Sequence, residues 1–344
     1  MMKTSKPLWF FAVVSLLFSS EAKLSTAATV KDMVAAANKE GVLEFYAPTQ
    51  VEEAGARRLN AAFNRKHGLS ISITYSPSAN MDRDLANVIT QFATGGSAEF
   101  DVMVFPDTYH TTLWHKKLHA PFDYRQLGID RKLINYDNGT VSFANQFVLP
   151  AYNKKTLAVQ DVPKNWSDLL DLKWKSGKLG VTNATPAHLA VLAAAWGEEE
   201  TTRYVKAVAQ QAPAIGRLGD TYSRLLLGEL SLAVTMTNSF IFTAERAGAP
   251  IVFADMQPII SPAYHVGVLK GARHPMAAYL FAAFLTTPEA QKIWEEYVGH
   301  TSAFVPGTRA YKYVQGKKVL FMNQDQAELV ERLTSEYSKI LGLK

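Results

Sequence analysis

The chain has 344 residues, 48% of them apolar and 19% charged, with 20 glycines, 15 prolines and no cysteine. That composition excludes a disordered or collagen-like chain and predicts about two domains of ~100 to 200 residues each. The missing cysteine removes disulfides, thiolate-bound metals, thiol nucleophiles and a thioether lipid anchor, and a net charge of +5 with basic residues only in isolated pairs gives no footprint for nucleic acid.

Lys3 and Lys6 precede the apolar stretch Leu8–Phe18, and small residues follow up to Ala27-Ala28. This is the pattern of a cleaved secretory signal over residues 1–27. The apolar stretch is too short to span a bilayer core, which takes ~20 residues. No later stretch reaches that length, so a mature chain free in solution outside the cytoplasm is expected.

Past the signal the periodicity alternates. Thr29 caps a helix ending at Gly41, and Val42–Tyr46 reads as a strand. A helix from about Val51 to His67 sets Leu59 and Phe63 on one face, and the strand Ser70–Tyr75 follows. Asn80 caps a helix whose Leu85, Val88, Ile89 and Phe92 form one apolar stripe, leading to the strand Phe100–Phe105. Strands separated by helices of this length imply parallel βαβ units. The pattern restarts after residue 147 with strands at Lys178–Thr182, Leu230–Thr235, Ile251–Phe253 and Ala263–Val268. Helices are predicted from Thr185-Pro186, near Thr201–Gln211, and at Pro275–Leu285, Pro288–Val298 and Gln326–Leu341.

Open parallel sheets bind ligands at the carboxyl ends of their strands, where loops lead into helix N-termini. Those loops here carry Tyr46, Thr49 and Gln50, then Ser78 and Asn80, then Asp107. In the second half they carry Asn183 and Thr185, Arg217 and Tyr222, and Thr237, Asn238 and Ser239. They are rich in hydroxyls and amides and poor in charge, which suits neutral hydrogen bonds to carboxylate, phosphate or sugar oxygens. Each of these residues also has an ordinary explanation, since Ser, Thr and Asn cap helices. Enzyme signatures such as GxSxG, GxxxxGK[ST] and HExxH are absent from the sequence. His110, His115 and His119 read as a surface stripe rather than metal ligands. Three Asn-x-Ser/Thr triplets, at Asn138, Asn165 and Asn183, are short enough to arise by chance.

Several stretches together resemble the extracellular solute-binding proteins of ABC importers, type II architecture, closest to the branch that includes ferric-iron binders. They are Leu43–Phe63, Phe100–Val104, Val162–Lys175 (VPKNWSDLLDLKWK), Gly228-Glu229 before a strand, and Gly267–Gln291 with its Lys-Gly-Ala-Arg-His-Pro run. The resemblance implies an α/β, two-lobed periplasmic binding protein-like fold. Each lobe would be a mostly parallel sheet flanked by helices, joined by hinge strands at Phe147–Asn153 and Ser261–Gly267. Lobe 1 would then be residues 28–148 plus 261–344, and lobe 2 residues 149–260. It further implies a periplasmic, monomeric, non-enzymatic receptor that needs no cofactor, closes on a small solute and docks on the importer's membrane permease subunits.

Ferric members of that branch use two adjacent tyrosines shortly after the Gly-Glu strand, and the matching positions here are Asn238 and Ser239. Neither supplies an anionic oxygen, so the expected ligand is a small organic anion, a carboxylate or phosphate ester. Tyr46, Tyr222 or Phe240 would wall it and Arg217 could pair with its charge. Ferric iron or an iron chelate is the alternative. An enzyme on the same scaffold would resemble cysteine-dependent relatives, and a transcription regulator's sensing domain would need a DNA-binding segment where this chain has its signal.

Overall fold

The computed structural model describes residues 29–343 apart from Ala79, so the predicted signal segment lies outside the described residues. Thr29 opens the first helix, Val30–Glu40, through a reciprocal cap: its hydroxyl accepts from Asp32 N–H at 3.2 Å while the Asp32 carboxylate accepts from Thr29 N–H at 3.1 Å. Gly41 ends that helix in the left-handed conformation that glycine adopts without strain.

The strands in chain order are β1 (Val42–Pro48), β2 (Ser72–Ser78), β3 (Val102–Pro106), β4 (Ile134–Asn135), β5 (Thr140–Asn145), β6 (Val148–Asn153), β7 (Leu179–Thr182), β8 (Ala214–Gly216), β9 (Leu232–Thr237), β10 (Ile251–Phe253), β11 (Ile259–Ser261), β12 (Ala263–Val268) and β13 (Val319–Phe321). They form two sheets, one ordered β2-β1-β3-β12-β5-β4 and one ordered β13-β11-β6-β9-β7-β8, with β10 paired to β6. The runs β2-β1-β3 and β8-β7-β9 and the pair β11-β13 are parallel, whereas β6 and β12, which follow the crossings, pair antiparallel to their neighbours, so each sheet is mixed.

Helices cover both faces of each sheet, and each lobe has its own core. In the first, Phe45, Phe63, Phe281 and Phe284 meet with ring centroids 5.0 to 6.0 Å apart, and Trp294 packs edge-on against Phe143 at 4.9 Å. In the second, Leu179, Val181, Leu232 and Val234 lie under Leu189, Val205 and Val208.

The two signature stretches of the sequence turn out to be braces. Trp166 donates from Nε1 to Pro258 O at 3.0 Å and Trp174 to Asp168 O at 2.8 Å. The Asp101 carboxylate accepts from the backbone N–H of Glu44 and of His274 and bonds His274 Nδ1 at 2.7 Å, tying β1 to the start of the helix Pro275–Phe284.

The chain crosses between lobes at Gln146-Phe147 and at Pro262, and then a third time. The helix Ala327–Ile340 buries Val330, Leu333 and Tyr337 in the second lobe's core, and β13 joins the second sheet beside β11. The expected division, which gave everything after residue 261 to lobe 1, is corrected by this packing. The physical reason is occupancy: four helices, Val30–Glu40, Glu52–His67, Pro275–Phe284 and Pro288–Val298, already cover the first core, so the last apolar stripe is buried on the other sheet. Gln324, just before that helix, bonds Asp137 in both directions at 3.0 Å and so ties the lobes together. No described helix is long and apolar enough to cross a membrane.

Candidate ligand-binding cleft

The carboxyl ends of β2, β3, β7, β8 and β9 all face a cleft of about 580 Å³ between the lobes. Residues Met81, Asp82 and Leu85 of the helix Met81–Ala93 line it from the first lobe, with Asp107, Thr108, Tyr109 and Thr112 of the helix Asp107–His115. From the second come Asn183, His188, Val191, Leu218 and Thr237, and the crossings add Gln146 and Pro262. Met322 and Thr334, both beyond the third crossing, complete the wall. Three helices of nine residues or more begin at this cleft: Met81–Ala93, Asp107–His115 and Leu218–Leu226. Their free N–H groups and positive dipole ends favour negative charge there. Among the described residues no lysine or arginine lines the cleft.

Of the residues expected at the site, Asp107, Asn183 and Thr237 line it. The Asp107 carboxylate, however, is turned away from solvent and fully buried. One oxygen bonds His265 Nε2 at 2.6 Å and the other accepts from the backbone N–H of Ala263, so it anchors the second crossing. Asn238 faces the other side of the hinge, in a second cavity with Phe147. Its Oδ1 accepts from Phe147 N–H at 3.0 Å and its own N–H donates to Phe147 O at 2.9 Å, extending the β6-β9 ladder across the first crossing.

The remaining expected residues are placed elsewhere. Tyr46 is buried against Phe100 and Phe105, with its hydroxyl donating to Asp84 at 3.0 Å, so it is no wall of the cleft. Ser78 is buried beside the same carboxylate and Asn80 caps the helix Met81–Ala93. Thr49 and Gln50 are exposed in a short turn, and Ser239 lies in the first turn of the helix Asn238–Arg246. Arg217 is exposed at the N-cap position of the helix Leu218–Leu226, one residue before Leu218 of the cleft wall. Tyr222 packs on Phe240 at 5.2 Å outside the cleft. Thr185, expected to cap its helix, does not: Ala184 holds that position, and the Thr185 hydroxyl is buried, accepting from Thr182 N–H at 2.9 Å.

His110 and His119, expected at the surface, are buried, and this too is a correction. Gly267 on β12 makes room for them, because a Cβ there would come within 2.7 Å of the His110 ring. His110 Nε2 bonds His265 O at 3.1 Å and its Nδ1 bonds His119 Nε2 at 3.0 Å. Burial depresses both, His119 to about 3, so both rings are neutral at pH 7. His115 alone behaves as predicted for that stripe, half-exposed and 3.2 Å from Glu331 of the last helix.

Tyr109, which the sequence pattern sets in the strand-end loop after Asp107, and His188 also line the cleft, though neither was among the expected site residues. Tyr109 stacks on Phe105 at 5.1 Å and donates to Asp82 at 2.8 Å; burial and the Asp82 carboxylate raise its hydroxyl well above the ordinary value. Its place two residues after Asp107, in the loop expected after a strand, was the available signal. His188 is 7% exposed, and burial lowers it to about 4. Its Nδ1 lies 3.3 Å from the Thr235 hydroxyl. Nothing in the local sequence distinguishes it from any other helical histidine.

A family profile described as bacterial extracellular solute-binding protein matches residues 43–297. The chain belongs to that family. Solved structures of similar fold include iron-bound HitA from Pseudomonas aeruginosa, 17% identical, with a TM-score of 0.67 over 87% of this chain and 99% of that one. FutA (IdiA) from Trichodesmium, in complex with iron and citrate, is 16% identical with a TM-score of 0.69 over 88% and 98%. AfuA from Actinobacillus pleuropneumoniae, with fructose-6-phosphate bound, is 17% identical with a TM-score of 0.69 over 88% and 99%. No curated protein matches the chain in sequence. At such identities these structures show the fold this chain shares with them.

Proposed function

We propose that this solute-binding protein is the periplasmic receptor of an ABC importer and that its cargo is a small organic anion, a carboxylate or phosphate ester. The observation that carries the cargo is the cleft's donor set: three helix N-termini and the neutral side chains of Thr108, Thr112, Gln146, Asn183, Thr237 and His188, with no basic side chain among the described lining residues. Oriented backbone dipoles hold one or two negative charges without a counter-ion. Met81, Leu85, Val191, Leu218 and Met322 supply apolar surface for a carbon skeleton. The lobes close about the crossings at Gln146-Phe147 and Pro262, and the closed form is what a permease would recognise. Residues 1–27 would direct export and be removed, leaving the receptor free in the periplasm. Asn238 and Ser239 fit this cargo, since neither offers a phenolate and Asn238 is engaged by the hinge.

A second reading has a specific observation behind it. Tyr109 and Asp82 are hard oxygen donors in contact within the cleft, and the Trichodesmium neighbour holds iron together with citrate. A ferric chelate, its remaining iron positions filled by the organic ligand, would use both. Isothermal titration against citrate, sugar phosphates, inorganic phosphate and Fe(III) without chelator separates the readings. Binding of the organic anions without metal is expected; tight Fe(III) binding with none of the organic anions would overturn the proposal.

A further inference from the structure

The second lobe contains a chain of buried hydroxyls that ends at the cleft. Thr182 Oγ1, Thr185 Oγ1, Thr235 Oγ1 and His188 Nδ1 follow one another at 3.1, 2.8 and 3.3 Å. Thr182, Thr185 and Thr235 are all inaccessible to solvent. Each hydroxyl has one proton to give, and two backbone donors fix where the chain starts: Thr182 N–H donates to Thr185 Oγ1 at 2.9 Å and Ala184 N–H to Thr182 Oγ1 at 3.2 Å.

Only one direction satisfies every proton. If Thr182 donates to Thr185, Thr185 to Thr235 and Thr235 to His188 Nδ1, each hydroxyl both gives and receives. Run the other way, His188 would donate to Thr235 and the last proton, on Thr182, would find no acceptor among the described residues. A buried hydroxyl without an acceptor costs about 1 to 3 kcal/mol. The chain therefore makes His188 Nδ1 an acceptor. Burial holds the imidazole neutral at pH 7, and a neutral ring with Nδ1 accepting carries its proton on Nε2. Nε2 has no partner among the described residues, and His188 is both more than nine-tenths buried and part of the cleft wall.

We infer that His188 is a specificity-determining residue whose Nε2–H, held in one tautomer by the Thr182-Thr185-Thr235 chain, donates to an oxyanion oxygen of the cargo from the second lobe, opposite the helix N-termini of the first. This rests on the organic-anion reading. Because the ring is uncharged, it does not demand a formal counter-charge: it rewards an accepting oxygen and disfavours an ammonium or hydroxyl donor at that point. A carboxylate and a phosphoryl group both satisfy it, and the two are told apart by the titration arms below.

Two measurements test this. First, ¹⁵N NMR of the histidine-labelled, ligand-free protein at pH 7 reads the tautomer directly, and an Nε2–H neutral ring is expected for His188. An Nδ1–H tautomer or an imidazolium overturns the inference whatever the cargo is. Second, titration of citrate and of fructose 6-phosphate into wild type, His188→Gln, His188→Phe and Thr235→Val identifies which oxyanion is used. His188→Phe should weaken the anion that binds by roughly ten- to a hundred-fold, the range for a lost hydrogen bond to a charged group. His188→Gln, which returns an N–H to the same place, should stay within about three-fold of wild type. Thr235→Val keeps the ring but frees its tautomer, and should give a mixed ¹⁵N signature with an intermediate loss. Wild-type binding that survives His188→Phe overturns the role of His188 alone. Failure of wild type to bind either anion overturns the reading beneath it. Far-ultraviolet circular dichroism of the Phe variant guards against unfolding, and the Thr235→Val tautomer readout stands should that variant not fold.

Discussion

Each lobe carries a chain of buried hydrogen bonds running toward the cleft, and the two chains end differently. In the first lobe His119 Nε2 bonds His110 Nδ1, His110 Nε2 bonds the His265 carbonyl, and His265 Nε2 bonds Asp107 Oδ1. Direction is set by the acceptors: a carbonyl and a carboxylate can only receive, so each ring points its Nε2–H onward. That chain terminates on Asp107, whose other oxygen is taken by Ala263 N–H at the hinge. In the second lobe the threonine chain terminates on His188, with no further partner among the described residues. The same residue type at the carboxyl end of a sheet thus serves as a brace in one lobe and as a donor in the other. What decides is whether a protein acceptor stands opposite.

The comparison can be broken in four places, taken from the largest expected effect. Asp107→Ala removes one partner of a buried pair and leaves the His265 ring and the Ala263 N–H unsatisfied, so a loss of about 3 kcal/mol or more is expected in urea unfolding. A loss below ~1 kcal/mol would mean the first chain braces nothing. Thr185→Val deletes the hydroxyl that receives Thr182 N–H, with an expected cost near 2 kcal/mol by the same measurement and little change in the first lobe's hydrogen exchange.

The third place is acid stability. His188 and His119 are held at about 4 and about 3 in the folded state, against roughly 6.5 when unfolded. The unfolded chain therefore binds more protons than the folded one below that upper value. Their stabilisation is fully present above about pH 6.5 and is lost as pH falls toward 4 and 3, at up to ~1.4 kcal/mol per pH unit for each ring. His188→Gln should flatten the stability profile between pH 6 and 4 by one proton's worth, and an unchanged slope would show that His188 is not neutral when folded. The smallest effect is expected at Arg217: its exposed position outside the lining predicts that Arg217→Ala changes anion affinity less than about three-fold in titrations at physiological salt, with screening accounting for the rest.

The alternation of strand and helix was legible because each βα unit carries its own periodicity and its own stop, as Gly41 and Gly68 illustrate. The location of the cleft at strand ends followed from the same regularity. Which loop side chains face it did not. Tyr46 and Thr237 both lie near the carboxyl end of a strand, yet one turns into the core beside Phe105 and the other into the cleft. That choice depends on the neighbouring strand's register, which spacing along the chain does not encode. His110 looked like a surface residue because β12, which covers it, arrives 155 residues later. The mixed character of the sheets was hidden for a related reason: a crossing strand and a parallel strand have the same apolar composition, and only the path of the chain sets the direction. Met322 and Thr334 reach the cleft through a crossing that no local signal marks.

That third crossing bears on how the molecule assembles. The first lobe's core needs Phe281, Phe284 and Trp294, and the second needs Val330, Leu333 and Tyr337. The first centre cannot close before Trp294 is made and the second not before Tyr337, and the contacts that complete them join residues far apart in sequence. Loop-closure entropy must be met before those contacts return anything, which slows folding relative to a chain held by local contacts. A nascent chain of this design leaves the second lobe's apolar sheet face uncovered until its last helix is made.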